Sequence, residues 1–136
     1  MNIVERFSKQ HREIVSLCQQ LQGYSYKKDS KDDLISMHAL QESLNKTLLE
    51  HLLLEDSALY PSLFESKNPE IRDTSLRLKE EVLVCGGLHA AYQKKYPDID
   101  TIEENMEAYQ EDTFIITQVI LERIQKEDTE LYPLLK

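Results

Sequence analysis

One motif with chemically useful side chains occurs twice in the chain. His51-Leu-Leu-Leu-Glu55-Asp-Ser-Ala-Leu-Tyr60-Pro61 recurs near the C-terminus as Arg123-Ile-Gln-Lys-Glu127-Asp-Thr-Glu-Leu-Tyr132-Pro133. The repeated spacing predicts two related helical hairpins, each of which ends its second helix with this motif. Residues four apart lie on the same face of a helix, so His51 and Glu55 present an imidazole and a carboxylate in one direction. In the second copy, Arg123 takes the place of the histidine.

Histidines also fall on the predicted inward faces of two other helices, His11 in the first and His89 in the third. A buried imidazole or carboxylate is costly unless it is paired or binds a metal. Histidine and glutamate side chains that converge inside a helical bundle suit a first-row transition metal, and carboxylates can bridge two ions. The polar residues predicted to face inward are His11, His51, Glu55, His89, Arg123 and Glu127, with Gln41 and Cys85 nearby.

Four helices must position these side chains, and apolar residues at alternating steps of four and three predict all of them. The first helix should run from about residue 2 to 22, with Ile3 at the start of its inward line and Gly23 as its C-cap. Residues 24–33, rich in Lys, Asp and Ser, are predicted to form a solvated loop. The second helix should run from about residue 31 to 59, with Ala58 as its last inward residue, and stop at Pro61.

The third and fourth helices begin at recognisable start signals. Asn68 and Pro69 predict an N-cap and a first helical position, and this helix should extend to about residue 95. Thr101 and Glu104 predict a capping box for the fourth helix, which should end before Pro133. Four helices with short connections form an all-α, up-down-up-down four-helix bundle. We expect one domain over residues 1–136, because no linker or low-complexity segment interrupts the pattern.

Composition narrows the choice of partners and location. The chain has 136 residues and a formal net charge of −9, which argues against binding to nucleic acid or to an anionic membrane surface. No apolar run is long enough to span a bilayer, and the N-terminus lacks the features of a signal peptide. We therefore predict a cytoplasmic protein. Cys18 and Cys85 both fall in helical patterns, where reduced core thiols are expected rather than a disulfide.

These motifs together resemble the hemerythrin / HHE cation-binding family. The resemblance rests on His11 followed by Ile14 and Leu17, on His51-x-x-x-Glu55-Asp-x-x-Leu-Tyr-Pro, on a histidine in the third helix, and on the second Glu-Asp-x-x-Leu-Tyr-Pro. It covers nearly the whole chain. It implies a hemerythrin-like four-helix bundle with a non-haem di-iron centre held by histidines and two bridging carboxylates. Members bind oxygen, nitric oxide or iron, in transport, storage, sensing or repair.

Carried over by position, the resemblance implies a role for each candidate ligand. His11 and His51 would bind one iron and His89 the second, and Glu55 and Glu127 would be the bridging carboxylates. In members with a His-x-x-x-His pair on the third helix, Cys85 stands in place of the first histidine.

The fourth helix departs from the family pattern at Arg123, which stands where the family has a histidine. A guanidinium is a permanent cation with no lone pair to donate. Arg123 would repel a metal dication and could form salt bridges with Glu55 and Glu127. Cys85 or Glu81 could supply a substitute ligand, so the sequence leaves two ions, one ion or none as alternatives.

Three functions stay open at this point. The first is an iron protein that binds a small diatomic ligand, oxygen or nitric oxide, or stores iron, in sensing, storage or stress response. The second is a metal-free bundle in which Arg123 fills the second metal position and the chain acts as an interaction or structural module. The third, a redox or repair enzyme, ranks below both, because no separate nucleophile, acid–base pair or cofactor loop is visible. The sequence does not indicate an oligomeric state.

Overall fold

The computed structural model describes residues 2–25 and 31–135. These residues form helices and turns without a strand, which confirms the predicted all-α bundle. The helices are α1 (Ile3–Ser25), α2 (Lys31–Ala58), α3 (Tyr60–Phe64), α4 (Pro69–Lys95), α5 (Ile99–Glu104) and α6 (Met106–Lys126). After α6 come a π-helical turn, Glu127–Leu131, and a 3-10 turn, Tyr132–Leu135.

The long helices α1, α2, α4 and α6 pack around a shared interior. α1 contacts α2 and α6, and α4 contacts α6, while α3 packs against α2 and α4. A large apolar cluster fills one part of the bundle, and a smaller one forms where the start of α1 meets the end of α2 and the C-terminus. The smaller cluster consists of Val4, Phe7, Leu59, Tyr60, Leu78, Leu131 and Tyr132.

Most residues of the predicted inward faces are buried, and two of them, both at helix ends, are exposed instead. Ile3 is 38% exposed and Val4, at 6%, takes the inward position instead. Ala58 is exposed as well. Both residues lie in terminal turns, where the path of the helix axis rather than the sequence period decides which side chain meets the core.

Two helix ends also differ from the prediction. Gly23 does not cap α1, because the helix continues to Ser25 and no glycine of the described chain has a positive φ. The predicted loop is correspondingly shorter, since Tyr24 and Ser25 belong to α1 and residues 31–33 to α2. Residues 26–30 of that predicted loop lie outside the described residues.

Start signals were predicted correctly for α4 but not for the fourth long helix. The Asn68 side chain accepts a hydrogen bond from the backbone N–H of Glu70, as an N-cap should. The predicted capping box at Thr101 is wrong, because Asp98 is the N-cap and accepts from the Thr101 backbone N–H. The helix that it opens, α5, ends after one turn and a half, and α6 starts separately at Met106.

Each Leu-Tyr-Pro segment interrupts a long helix and continues as a short helical turn. α2 ends at Ala58, and Pro61 then lies in the first turn of α3, where a missing N–H costs no helical hydrogen bond. Pro133 lies in the 3-10 turn in the same way. None of the described helices is long and apolar enough to cross a membrane.

Candidate metal centre

Two imidazoles face each other across the interface between α1 and α2. The Nε2 atoms of His11 and His51 lie 3.0 Å apart, and both residues are buried, at 1% and 2% exposure. Each is on the inward face of its helix at a position set by the apolar spacing around it. The ring of Phe7, one turn before His11, packs edge-on against His51.

Both rings are held from behind by an acceptor on the other nitrogen. Nδ1 of His11 lies 2.8 Å from Oδ1 of Asp128, and Nδ1 of His51 lies 2.7 Å from Oε1 of Gln10. Carboxylate and amide oxygens can only accept, so each Nδ1 carries the proton and donates it. The lone pair of each neutral ring is therefore on Nε2, aimed at the other ring. Such a partner on the far nitrogen is typical of metal-binding histidines.

Two buried carboxylates complete the cluster. Glu55 follows His51 by one turn of α2, and its Oε1 lies 3.1 Å from Nε2 of His51. Glu127 opens the π-helical turn, and its Oε1 lies 3.2 Å from Nε2 of His11 and 3.9 Å from Nε2 of His51. Both glutamates are nearly inaccessible to solvent, at 1% and 3% exposure. One oxygen of each carboxylate thus faces the pair of imidazole nitrogens.

The second oxygen of each carboxylate accepts a hydrogen bond from a tyrosine of the opposite motif copy. Tyr60 donates its hydroxyl to Oε2 of Glu127 at 2.6 Å, and Tyr132 donates to Oε2 of Glu55 at 3.2 Å. The Tyr132 hydroxyl also lies 3.1 Å from Nε2 of His11. The two tyrosines therefore link the halves of the chain across the cluster.

The cluster shifts the ionisation of its members strongly. Burial lowers the pKa of His51, but its bonds to Glu127 and Glu55 outweigh burial and raise it to about 9. Burial also lowers the pKa of His11, but the hydrogen bonds to Asp128 and Glu127 outweigh burial and raise this pKa overall. Burial and the charge of Glu127 raise the pKa of Glu55 to about 7. The two histidines hold the pKa of Glu127 below its usual range against the effect of burial.

Those directions describe a site that attracts a cation. Two Nε2 atoms 3.0 Å apart repel each other unless a positive species lies between them. A proton on one ring serves in the metal-free protein, and a metal ion can take its place. Within residues 2–25 and 31–135, one group of His, Cys, Asp and Glu side chains brings its ligand atoms within 4.8 Å of one another. It consists of His11, His51, Glu55 and Glu127.

This donor set fits a first-row transition metal such as iron. Two neutral imidazoles and two carboxylates are its usual protein ligands, and two negative charges neutralise one dication. Oε1 of Glu55 is buried, and its 3.1 Å contact with Nε2 of His51 is not a well-formed hydrogen bond, so this oxygen is available as a ligand. The family model for the hemerythrin HHE cation-binding domain matches residues 2–135. The chain belongs to this family. Comparisons with curated proteins and with solved structures returned no match.

Of the further ligands predicted for this hemerythrin domain, His89 lies outside the four-residue cluster. It is buried at 3% exposure, and its Nε2 has no hydrogen-bond partner. Burial lowers the pKa of His89 to about 4, so the ring is neutral. The centroid of its ring lies 6.4 Å from that of Tyr92. The structure therefore places His89 in the core of the bundle, apart from the group formed by His11, His51, Glu55 and Glu127.

Cys85 and Glu81, the two substitute donors, are also outside the cluster. Cys85 is buried, and burial raises the pKa of its thiol to about 11, which keeps it protonated near neutral pH. Glu81 is half-exposed, and its carboxylate lies 2.9 Å from Nη1 of Arg123 and 2.8 Å from Nζ of Lys126. The hydrogen bond from Lys126 and the nearby Arg123 lower the pKa of Glu81.

Arg123 differs from the prediction in its partner. Its guanidinium pairs with Glu81 on α4, rather than with Glu55 or Glu127. The guanidinium is buried, and neither Nη1 nor Nη2 makes a well-formed hydrogen bond. It borders a cavity of about 20 Å³. The cavity is lined by Arg123, His51, Glu55, Cys85 and Glu127 together with apolar residues of α2, α4 and α6.

Sequence reasoning missed four residues that shape the site. Tyr60 and Tyr132 were not among the predicted site residues, although their hydroxyls bond the two glutamates. Gln10 and Asp128 were not considered, although they orient the two imidazoles. For Tyr60, Tyr132 and Asp128 the available signal was the repeat of Glu-Asp and Tyr-Pro in both motif copies, whereas Gln10 lies outside both copies.

Proposed function

We propose that this hemerythrin domain is a non-haem iron protein that holds iron with His11, His51, Glu55 and Glu127. The observation that supports the proposal is the buried convergence of four ligand atoms within 4.8 Å. Burial of two carboxylates and two imidazoles without a metal leaves close contacts that one dication would relieve. Iron bound there would supply a redox-active ion able to bind a small ligand.

We further propose that the small ligand is a diatomic molecule, oxygen or nitric oxide, used in sensing, storage or stress response. The cavity of about 20 Å³ beside His51 and Glu127 supports this. A volume of that order holds about one water-sized molecule. Apolar side chains of α2, α4 and α6 line the cavity beside the four polar residues, so it offers space for a small uncharged molecule next to the cluster. The ring of Phe7 packs edge-on against His51. A cytoplasmic location stays a prediction of the sequence.

A metal titration tests the iron proposal. Apoprotein is titrated anaerobically with ferrous iron, and bound metal is counted after removal of free ions. We expect His51→Leu to abolish tight uptake, because it removes a ligand without adding a charge. His89→Leu is the matched control, since it removes a buried imidazole outside the cluster. Equal iron uptake by wild type and His51→Leu would contradict the proposal, and loss of iron in His89→Leu would restore His89 as a ligand.

The metal-free alternative is favoured by one observation of its own. The Nε2 atom of His51 lies 3.1 Å from Oε1 of Glu55 and 3.9 Å from Oε1 of Glu127. A protonated His51 would therefore offset carboxylate charge without a metal, in keeping with its raised pKa. In that state the four residues would act as a buried polar network that holds α1, α2 and the C-terminal turn together. It predicts no tight iron uptake and no change in thermal stability when ferrous iron is added.

A further inference from the structure

The two motif copies use equivalent positions in opposite ways. His51 precedes Glu55 by one helical turn, and Arg123 precedes Glu127 by the same spacing. His51 turns its Nε2 toward the cluster, whereas Arg123 turns its guanidinium toward Glu81. One half of the chain thus contributes a lone pair where the other contributes a permanent cation.

The two oxygens of each carboxylate also have different partners. Oε1 of Glu55 and Oε1 of Glu127 face the imidazoles, and a bridge to a second ion would need their Oε2 atoms. Those atoms accept the hydroxyls of Tyr132 and Tyr60. A second ion would have to displace two buried hydrogen bonds, each leaving an unpaired hydroxyl.

Charge points the same way. One dication with Glu55 and Glu127 gives a neutral buried group when both imidazoles are neutral. A second dication on the cavity side would face Arg123, which shares its counterion, Glu81, with Lys126. Uncompensated positive charge at a buried position is strongly unfavourable.

We infer that this domain holds a single iron ion, and that Arg123, with the Tyr60 and Tyr132 hydroxyls, closes the position that a second ion would take. The inference rests on the proposed iron site and states its stoichiometry. Arg123 and the two tyrosines are positioning residues here, since they act on the glutamates and on the cavity rather than on the ion itself.

The test combines a metal count with electron paramagnetic resonance of the oxidised protein. Ferrous ammonium sulfate is added to apoprotein without oxygen, excess metal is removed, and the sample is then oxidised. Wild type is expected to retain one iron per chain and to show the low-field signal of isolated high-spin ferric iron. Arg123→Lys, which keeps the cation, is expected to behave in the same way.

Arg123→His replaces the cation with a lone-pair donor at the position equivalent to His51. It is expected to raise the count toward two irons per chain and to weaken the signal, because coupled ferric pairs are silent in this measurement. Helical circular dichroism and the melting temperature of each apoprotein verify folding. A second measurement uses the Tyr60→Phe and Tyr132→Phe double variant, which frees both Oε2 atoms, and a further rise is expected when it is combined with Arg123→His.

The outcomes separate the inference from the function on which it rests. Two coupled irons in wild type would overturn the single-ion inference and leave the iron proposal intact. One iron in wild type and also in folded Arg123→His, with or without the tyrosine changes, would overturn the role given to these residues. No iron in wild type would overturn the proposed function itself.

Discussion

Asp128 offers the sharpest perturbation of the centre that leaves every proposed ligand in place. Its Oδ1 lies 2.8 Å from Nδ1 of His11, while its side chain is 42% exposed. Replacing it with alanine removes the acceptor that keeps the proton on Nδ1. His11 can then place its proton on Nε2 and present no lone pair to the cluster.

The size of the effect follows from the geometry. Loss of a partner on the far nitrogen of a ligating histidine weakens metal binding about 10- to 100-fold. Because Asp128 is partly exposed, water can replace part of the lost bond and its charge is screened. We therefore expect the lower end, about tenfold weaker ferrous iron binding, which is about 1.4 kcal/mol.

The motif repeat supplies the matched control. Asp56 is the equivalent aspartate of the first copy, is 50% exposed, and pairs with Lys79 rather than with a histidine. Asp56→Ala removes the same charge at the same distance along the motif, and we expect less than about a twofold change in iron affinity. Asp128→Asn, which keeps an acceptor oxygen, should recover part of the loss in Asp128→Ala.

The assay is competitive ferrous iron binding against a chromophoric chelator at constant pH. Unfolding in urea should show that each aspartate variant loses at most about 1 kcal/mol, as expected for an exposed ion pair. If Asp128→Ala binds iron as tightly as wild type, or if Asp56→Ala is weakened to the same degree, then orientation of His11 by Asp128 is not what sets the affinity.

Two further predictions concern stability rather than metal. Gly87 lies within α4 with no atom within 4 Å of an added Cβ, so Gly87→Ala should stabilise the apoprotein by about 1 kcal/mol in urea unfolding; a loss of stability would show that the exposed face at Gly87 needs close contact. The second prediction concerns His89, whose pKa is about 4 in the folded protein and 6.5 in the unfolded chain. Its contribution to the free energy of unfolding is fully present above pH 6.5. This contribution is lost as the pH falls toward 4, because the unfolded chain then binds a proton that the folded protein does not. Between pH 7.5 and 5 the loss is about 2 kcal/mol, and His89→Leu should reduce the acid sensitivity of the unfolding free energy by that amount; an unchanged slope would mean that His89 is not kept neutral by burial.

The sequence predicted which side chains reach the interior better than it predicted what they touch. Period and spacing placed His11, His51, Glu55 and Glu127 on inward faces, and all four are buried. Helical periodicity is a property of one segment at a time, so it could be read without knowledge of the neighbours. That the four converge depends on how the helices are rotated and raised against one another, which the repeat only suggested.

The errors come from places where a tertiary contact outweighs a local signal. The sequence allowed Arg123 to form salt bridges with Glu55 and Glu127, but Tyr60 and Tyr132 already occupy the carboxylate oxygens that face away from the imidazoles. Glu81 on α4 is then the acid within reach of Arg123. Gly23 is a local helix-end signal, yet α1 continues beyond it to Ser25. Thr101 is a local helix-start signal, yet Asp98 is the residue that caps α5.

The crossed tyrosines carry a consequence for how the molecule assembles. Tyr60 belongs to the N-terminal hairpin and donates a hydrogen bond to Glu127 of the C-terminal one. Tyr132 of the C-terminal hairpin donates to Glu55 of the N-terminal one. Either hairpin folded alone would enclose a carboxylate whose hydroxyl donor is on the missing half. We therefore expect neither hairpin to be stable without the other, so that the chain unfolds in one transition without a stable half-molecule.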